Sequence, residues 1–356
     1  MAVETIETVI IGCGQAGLAT AYHLTRAGRD CVVLESAERI GDSWRRRWPS
    51  LRLYSAARLD GLPGMPFPAA PHTFPSAAEM ADYLESYAEQ FELPVRCGVS
   101  VDSLERRDGG YVVSAGDRRW EADNVVVATG CFRDPHVPAF AAQLDPAITQ
   151  LHSSRYRGPE QLPDGPVLVV GAAHSGADIA HELAAHHPTV LCGPSTGELP
   201  FRCDGPLARH LMPHVLRVVA TRVLTVRTPL GRKARTKIRK SGGPLLRYRS
   251  PELRAAGVER VLERMTGVVD GKPVLADGRV LDVAGIVWCT GFRNDYGWIR
   301  FPLPIGDDGF PEQTRGAVNG VPGLYFAGLL FQDSFSSMLI LGARRDGGRV
   351  ARQIAG

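Results

Sequence analysis

Two short glycine-spaced strings, Gly12-Cys13-Gly14-Gln15-Ala16-Gly17 and Gly171-Ala172-Ala173-His174-Ser175-Gly176, are the residues of this chain best placed to do chemistry. Each follows a β-branched run, Thr8 to Ile11 and Val167 to Val170, and opens an alanine-rich helical pattern. In that context the first glycine permits a tight turn and the second lets backbone approach a pyrophosphate. The third lets helix and strand pack closely. The helix start then turns its free amides and the positive end of its dipole toward phosphate. One such string suggests a dehydrogenase; two suggest a flavin reduced by a nicotinamide.

The strings are unequal. After the first, Cys31 to Glu35 reads as a second strand, and Glu35, followed by Ser36, stands where a carboxylate accepts from ribose hydroxyls. With Ala128-Thr129-Gly130 closing this half, Gly12, Gly14, Gln15, Ala16, Gly17, Glu35 and Ser36 fit FAD better than NAD. In the other half, Thr189 to Cys192 runs into Gly193-Pro-Ser195-Thr-Gly197 with no acid, and Arg202 follows. A missing acid and a nearby arginine favour NADP, whose 2′-phosphate a carboxylate would repel. Arg202 as a surface or active-site residue stays open beside that reading. Gly171, Ala173, His174, Ser175, Gly176, Ser195, Arg202 and Thr290 are the expected NADP contacts. Ala173 replaces the usual middle glycine, so its methyl is expected to crowd the pyrophosphate. His174 reads as a structural histidine at the helix start rather than a catalytic one.

The elements that must hold these residues repeat. Gly12 precedes Gly130 of Val125-Val-Val-Ala-Thr-Gly130, and Gly171 precedes Gly291 of Ile286-Val-Trp-Cys-Thr-Gly291, by nearly equal intervals. Alternating segments come before each Thr-Gly: Val99 to Leu104, Tyr111 to Ser114 and Arg119 to Glu121 in the first half, Val258 to Glu263, Pro273 to Leu275 and Arg279 to Leu281 in the second. The fold class is therefore α/β, with two Rossmann-like units for FAD and NADP, each with a small antiparallel meander. This is the two-domain plan of glutathione-reductase-like flavoproteins. Residues 1–156 and 288–356 are assigned to the FAD unit and 157–287 to the NAD(P) unit, with a basic insertion at 204–256. Ser76 and Glu79 form a capping box ahead of a helix whose Met80, Tyr83, Leu84, Tyr87 and Phe91 share one buried face.

Composition fits two ordinary domains in 356 residues, with 44% hydrophobic content. A net charge of +3 argues against a nucleic-acid partner. No signal peptide and no run long enough to span a bilayer is visible. Seven scattered cysteines without Cys-x-x-Cys favour a reducing cytoplasm and speak against a zinc ribbon or a redox disulfide. The insertion, apolar from Leu211 to Val226 and then rich in Lys and Arg to Arg249, reads either as a helix with a solvated cationic face or as a contact with a membrane surface.

The chain resembles the class B flavin-dependent monooxygenases, which include the flavin-containing monooxygenases, the plant YUCCA-type and Baeyer–Villiger enzymes, and close to it short bacterial ArsO-like flavoproteins. The carriers are both glycine strings, Gly41-Asp-Ser-Trp44-Arg-Arg-Arg-Trp48, Leu51-Arg-Leu-Tyr-Ser55, Leu62-Pro-Gly-Met-Pro-Phe67, Ala128-Thr-Gly130, His152-Ser-Ser-Arg-Tyr156, Cys289-Thr-Gly-Phe292 and Gly323-Leu-Tyr-Phe-Ala-Gly328. Pro146 and Ile148 depart from the aromatic and glycine of the family signature before His152, and its asparagine near Tyr54 and Ser55 is missing. The resemblance implies FAD, NADP(H), O2 and a small organic substrate, oxygenated at N, S or C through a C4a-(hydro)peroxyflavin. It implies that Trp44, Ser55 and Gln332 lie near the flavin, Ser55 and Gln332 as the catalytic candidates, and that Gly328 caps the ring end. Gln332 to Ser337 are expected to bond the ring edge, and Tyr296, Trp298 and Phe331 to wall the substrate pocket. No metal site or nucleophile triad is expected. A flavin reductase serving an acceptor or partner, a flavin-bound membrane module and a homodimer are the open alternatives.

Overall fold

The computed structural model describes residues 2–198, 215 and 217–356 and is built on two sheets. In the first, β1 (Ala2–Ile11) lies between β2 (Cys31–Leu34) and a long strand later in the chain, with α1 (Gln15–Arg26) crossing from β1 to β2. Val9, Ile10, Val32, Val33 and Leu34 are almost wholly buried, as a parallel sheet covered on both faces requires. Next comes α2 (Ala77–Gln90), with both halves of the Ser76/Glu79 capping box formed and Met80, Tyr83, Leu84 and Tyr87 buried. Its tyrosines pin the loop before it: Tyr83 Oη donates to the Met65 carbonyl at 2.8 Å, and Tyr87 Oη to that of Pro63 at 2.8 Å.

The order continues through β3 (Val95–Arg96), β4 (Ser103–Arg107), β5 (Gly110–Ala115) and β6 (Arg118–Val127). The last corrects the expected split into a meander strand and a separate returning strand. Residues 118–122 pair antiparallel with β5, residues 125–127 run parallel to the later strand Leu324–Phe326, and β1 flanks both stretches.

The second sheet is five-stranded and parallel. It holds β7 (Thr149–His152), β8 (Val167–Val170), β9 (Thr189–Cys192), β10 (Glu259–Val261) and β11 (Gly285–Trp288), in the spatial order β10-β9-β8-β11-β7. β7 thus stands in this sheet, ahead of the boundary expected at 156, because its backbone pairs with β11. β10 also differs from expectation: Val258 to Glu263 supplies a parallel edge strand rather than part of a meander. The antiparallel piece is the hairpin of Met265–Val269 with Lys272–Leu275. α3 (His174–Leu183) links β8 to β9, and α4 (Pro229–Ser241) is the longest helix described within the insertion. The chain returns to the first sheet through β12 (Leu324–Phe326) and ends in α5 (Ile340–Ala355), packed on α1. The two crossings between the sheets pair with each other, Phe292 opposite Pro135 and Arg293 opposite Asp134.

Candidate dinucleotide and active site

β1, β6 and β12 end side by side, and the loops that leave them build the first cradle. Ala128 N donates to the Ile11 carbonyl at 2.8 Å and Ala327 N to that of Val127 at 3.0 Å. Gly12 has φ +103°, and a Cβ there would sit 2.7 Å from the Ala128 oxygen; one on Gly17 would sit 1.9 Å from the Gly12 oxygen. A Cβ on Gly14 would meet nothing within 4 Å. The protein's own packing therefore demands the outer two glycines, while the middle one faces open space. No side chain caps α1 and no acid stands in its first turn, in contrast to the fully capped α2. A bare helix start beside open space fits a pyrophosphate. Glu35 is fixed by the amides of Cys13 and Ala37, each at 2.9 Å, and by the Ser36 hydroxyl, with acceptor capacity left for ribose. Gly130, like Gly14, has open space at its Cβ position, whereas a Cβ on Gly328 would lie 2.8 Å from the Ala16 methyl at the start of α1.

The second cradle repeats the first. Cys289 N donates to the Val170 carbonyl at 2.8 Å, Gly171 has φ +107°, and a Cβ on Gly171 or Gly176 would lie 2.4 Å from the Cys289 oxygen or 1.8 Å from the Gly171 oxygen. α3 is also bare of a side-chain cap. Ala173 sits at the helix start in ordinary extended backbone, φ −83° and ψ −169°, with its methyl facing Gly242 just after α4. That methyl therefore lies beside the insertion. His174 Nε2 donates to the Pro244 carbonyl at 2.7 Å, its ring tilts against Tyr54 at 4.7 Å, and burial lowers its pKa. Ser175 is half-buried, Ser195 Oγ accepts from Gly197 N at 3.2 Å, and Thr290 donates to the His136 carbonyl. Arg202 lies outside the described residues.

At the end of β9, where Glu35 has no counterpart, the structure places an arginine the sequence reading missed. Arg260 of β10 donates to the carbonyls of Leu191 at 3.0 Å and Gly193 at 2.6 Å. Only the parallel pairing of β10 with β9 brings it there.

The residues expected near the ring separate into two sets. Trp44 is half-buried and packs against the cores of both sheets, and Trp48 is core. Ser55 Oγ donates to Asp60 Oδ1 at 2.5 Å. Asp60 is fully buried, Oδ2 has no partner, and desolvation pushes the carboxyl up to about 7. Gln332, expected at the ring edge, is buried. Its amide donates to the Phe326 carbonyl at 2.7 Å and accepts from Leu329 N at 3.1 Å, clamping its own turn. Ser337 Oγ likewise accepts from the amides of Asp333 and Ser334. Phe331 is fully buried, and Tyr296 and Trp298 pack on the first sheet's core.

A further group joins the halves. Tyr54 Oη donates to Asp178 Oδ2 at 2.9 Å, and Arg247 approaches the same oxygen at 3.4 Å. Burial raises Asp178 to about 6 against the opposing pull of Arg247. His152 joins them through the crossing: Nε2 donates to the Gly291 carbonyl at 3.0 Å, and its ring meets Phe292 edge-on. The basic helix α4 is anchored rather than free. Arg239, whose side chain is 1% exposed, bonds Asp308 at 2.6 Å and lies 3.8 Å over Phe310. Among the described residues no cluster suits a metal ion and no helix is long and apolar enough to cross a membrane.

Two sheets, one mixed and one parallel, each carrying a glycine turn that opens an uncapped helix, define a two-domain oxidoreductase of the Rossmann type. The chain belongs to the pyridine nucleotide-disulphide oxidoreductase family, whose model matches residues 9–215. An uncharacterized CzcO-like oxidoreductase of Geobacillus kaustophilus is 35% identical, over 96% of both chains. The indole-3-pyruvate monooxygenase YUCCA1 of Oryza sativa subsp. japonica is 27% identical, over 97% of this chain and 90% of that one. The solved flavin-containing monooxygenase of Stenotrophomonas maltophilia superposes with a TM-score of 0.76 at 26% identity, covering 99% of this chain and 98% of that one.

Proposed function

We propose that the chain is an FAD-dependent, NADPH-using monooxygenase of the cytoplasm that transfers one oxygen atom from O2 to a small organic substrate. The observation that carries this reading is the pair of bare helix starts, held in one register by the same glycine-to-carbonyl contacts. The likeness to flavin monooxygenases over nearly the whole chain supports it. In this reading residues from 2 to about 148 and from about 289 onward form the FAD unit, and the second sheet forms the NADPH unit.

FAD, when bound, would supply the redox chemistry between NADPH and O2, which no side chain here supplies. The balance is NADPH, a proton, O2 and substrate in, and NADP+, water and oxygenated substrate out. The chain's residues bind and orient. First-turn amides of α1 and α3 would hold the two pyrophosphates, and Glu35 would accept from the FAD ribose. Arg260 places a cation, where Glu35 has no counterpart, at the ribose end of the NADPH site. Asp60 holds a proton beside Ser55 Oγ in the neutral range. The free cysteines among the described residues suit a reducing compartment. Anaerobic mixing of the FAD-loaded protein with NADPH and with NADH tests the coenzyme assignment. NADPH is expected to bleach the flavin faster, and a preference for NADH contradicts the assignment.

A further inference from the structure

A cavity of about 1230 Å³ opens between residues 57–71, the short helical segment Val219–Val223 with the residues just before it, and the first turns of α5. Its floor is apolar: Leu62, Met65 and Phe67 come from the loop that Tyr83 and Tyr87 hold by its carbonyls, and Leu341 from α5. Its rim is cationic. Arg345 and Arg349 are balanced by the buried carboxylates Asp333 and Asp346. Arg217, Arg222 and Arg344 also line the cavity, and no carboxylate among the described residues pairs with them. These three reach the opening from two stretches of chain more than a hundred residues apart, so their convergence is not the run of charge along one helix that solvation alone explains. An apolar floor with unbalanced guanidinium groups at the mouth matches a molecule with one anionic end and one apolar end. The volume accommodates an organic molecule of ordinary ligand size.

We infer that this cavity binds an organic carboxylate carrying an apolar chain. The inference rests on the proposed monooxygenase reading for one further point, that the occupant is substrate. The cavity wall begins at Ala57, two residues after Ser55, and Ser55 belongs to the region that the proposed function assigns to the flavin.

The test measures binding to the FAD-loaded protein by calorimetry, with decanoate, 1-decanol and decyltrimethylammonium as probes. Decanoate is expected to bind at least tenfold tighter than decanol and to weaken with added salt. The double variant Arg222→Glu/Arg344→Glu is expected to lose the preference at unchanged flavin content, and Arg222→Lys/Arg344→Lys to keep most of it. Equal affinity for decanoate and decanol, or an unchanged preference in the glutamate variant, overturns the inference. So does binding to phosphatidylglycerol vesicles that decanoate does not displace, which would make the face a lipid-surface contact. Because the readout is binding, a protein that holds decanoate yet is not reduced by NADPH overturns the proposed function and leaves the site standing.

Discussion

Gly14 and Gly17 lie one helical turn apart and answer to different constraints. A methyl on Gly17 would enter the Gly12 carbonyl, whereas one on Gly14 would occupy empty space. Gly17→Ala should cost about 3 kcal/mol or prevent folding. Gly14→Ala should leave the melting temperature of the FAD-free protein unchanged and lower flavin bound per chain. Equal thermal effects of the two would refute this division of roles. Asp60 carries a pH signature. Its folded pKa stands near 7, above the ordinary carboxylate value, so stability is full below about pH 4 and is lost as pH rises to 7, by about 4 kcal/mol at most. Asp60→Asn should flatten that part of the stability profile in urea titrations from pH 4 to 7. The glycines and Glu35 were legible in the sequence because backbone geometry and strand ends are local properties. Asp60, Asp178 and Arg260 were not. Burial makes Asp60 unusual, and contacts with Tyr54 and β9, far away in the chain, define the other two. The engagement of Gln332 within its own turn was not legible either, because a polar residue after a buried strand serves a turn as well as a cofactor.

Helix α2 was readable from end to end, since capping chemistry and a 3.6-residue apolar period occupy the same stretch. Ser76→Ala should therefore cost about 1 kcal/mol in equilibrium unfolding, and no loss would deny the cap its role. β6 was read as two pieces because Asp123 and Asn124 look like turn residues. Continuous pairing with β1, Ile6 opposite Ala122 and Thr8 opposite Asn124, carries the strand through them. The direction of β10 was equally hidden, because a three-residue edge has the same local pattern in parallel and antiparallel pairing. At the start of α3 the methyl of Ala173 is turned toward Gly242. Ala173→Gly should then change the Kd for NADPH by less than roughly threefold, under 1 kcal/mol. A tenfold gain would mean the methyl does crowd the nucleotide.

In the whole molecule the repeated order of fingerprint, antiparallel piece and Thr-Gly return announced two units, and the two sheets reproduce it. The place of β7 could not be seen from sequence, because its only partner strand among the described residues is β11, more than a hundred residues later. The crossings at Asp134–Pro135 and Phe292–Arg293, with His152 and Tyr54 tying one half to the other, hold the cradles in a fixed relation. In the proposed function that relation lets electrons pass from one nucleotide to the other and then to oxygen. The decisive measurement is stopped-flow absorbance of the FAD-loaded protein, reduced anaerobically with NADPH and then mixed with O2. The account predicts a transient species spectrally distinct from both oxidised and reduced flavin before reoxidation is complete. Reoxidation in one step, with no such transient at any oxygen concentration, would contradict it.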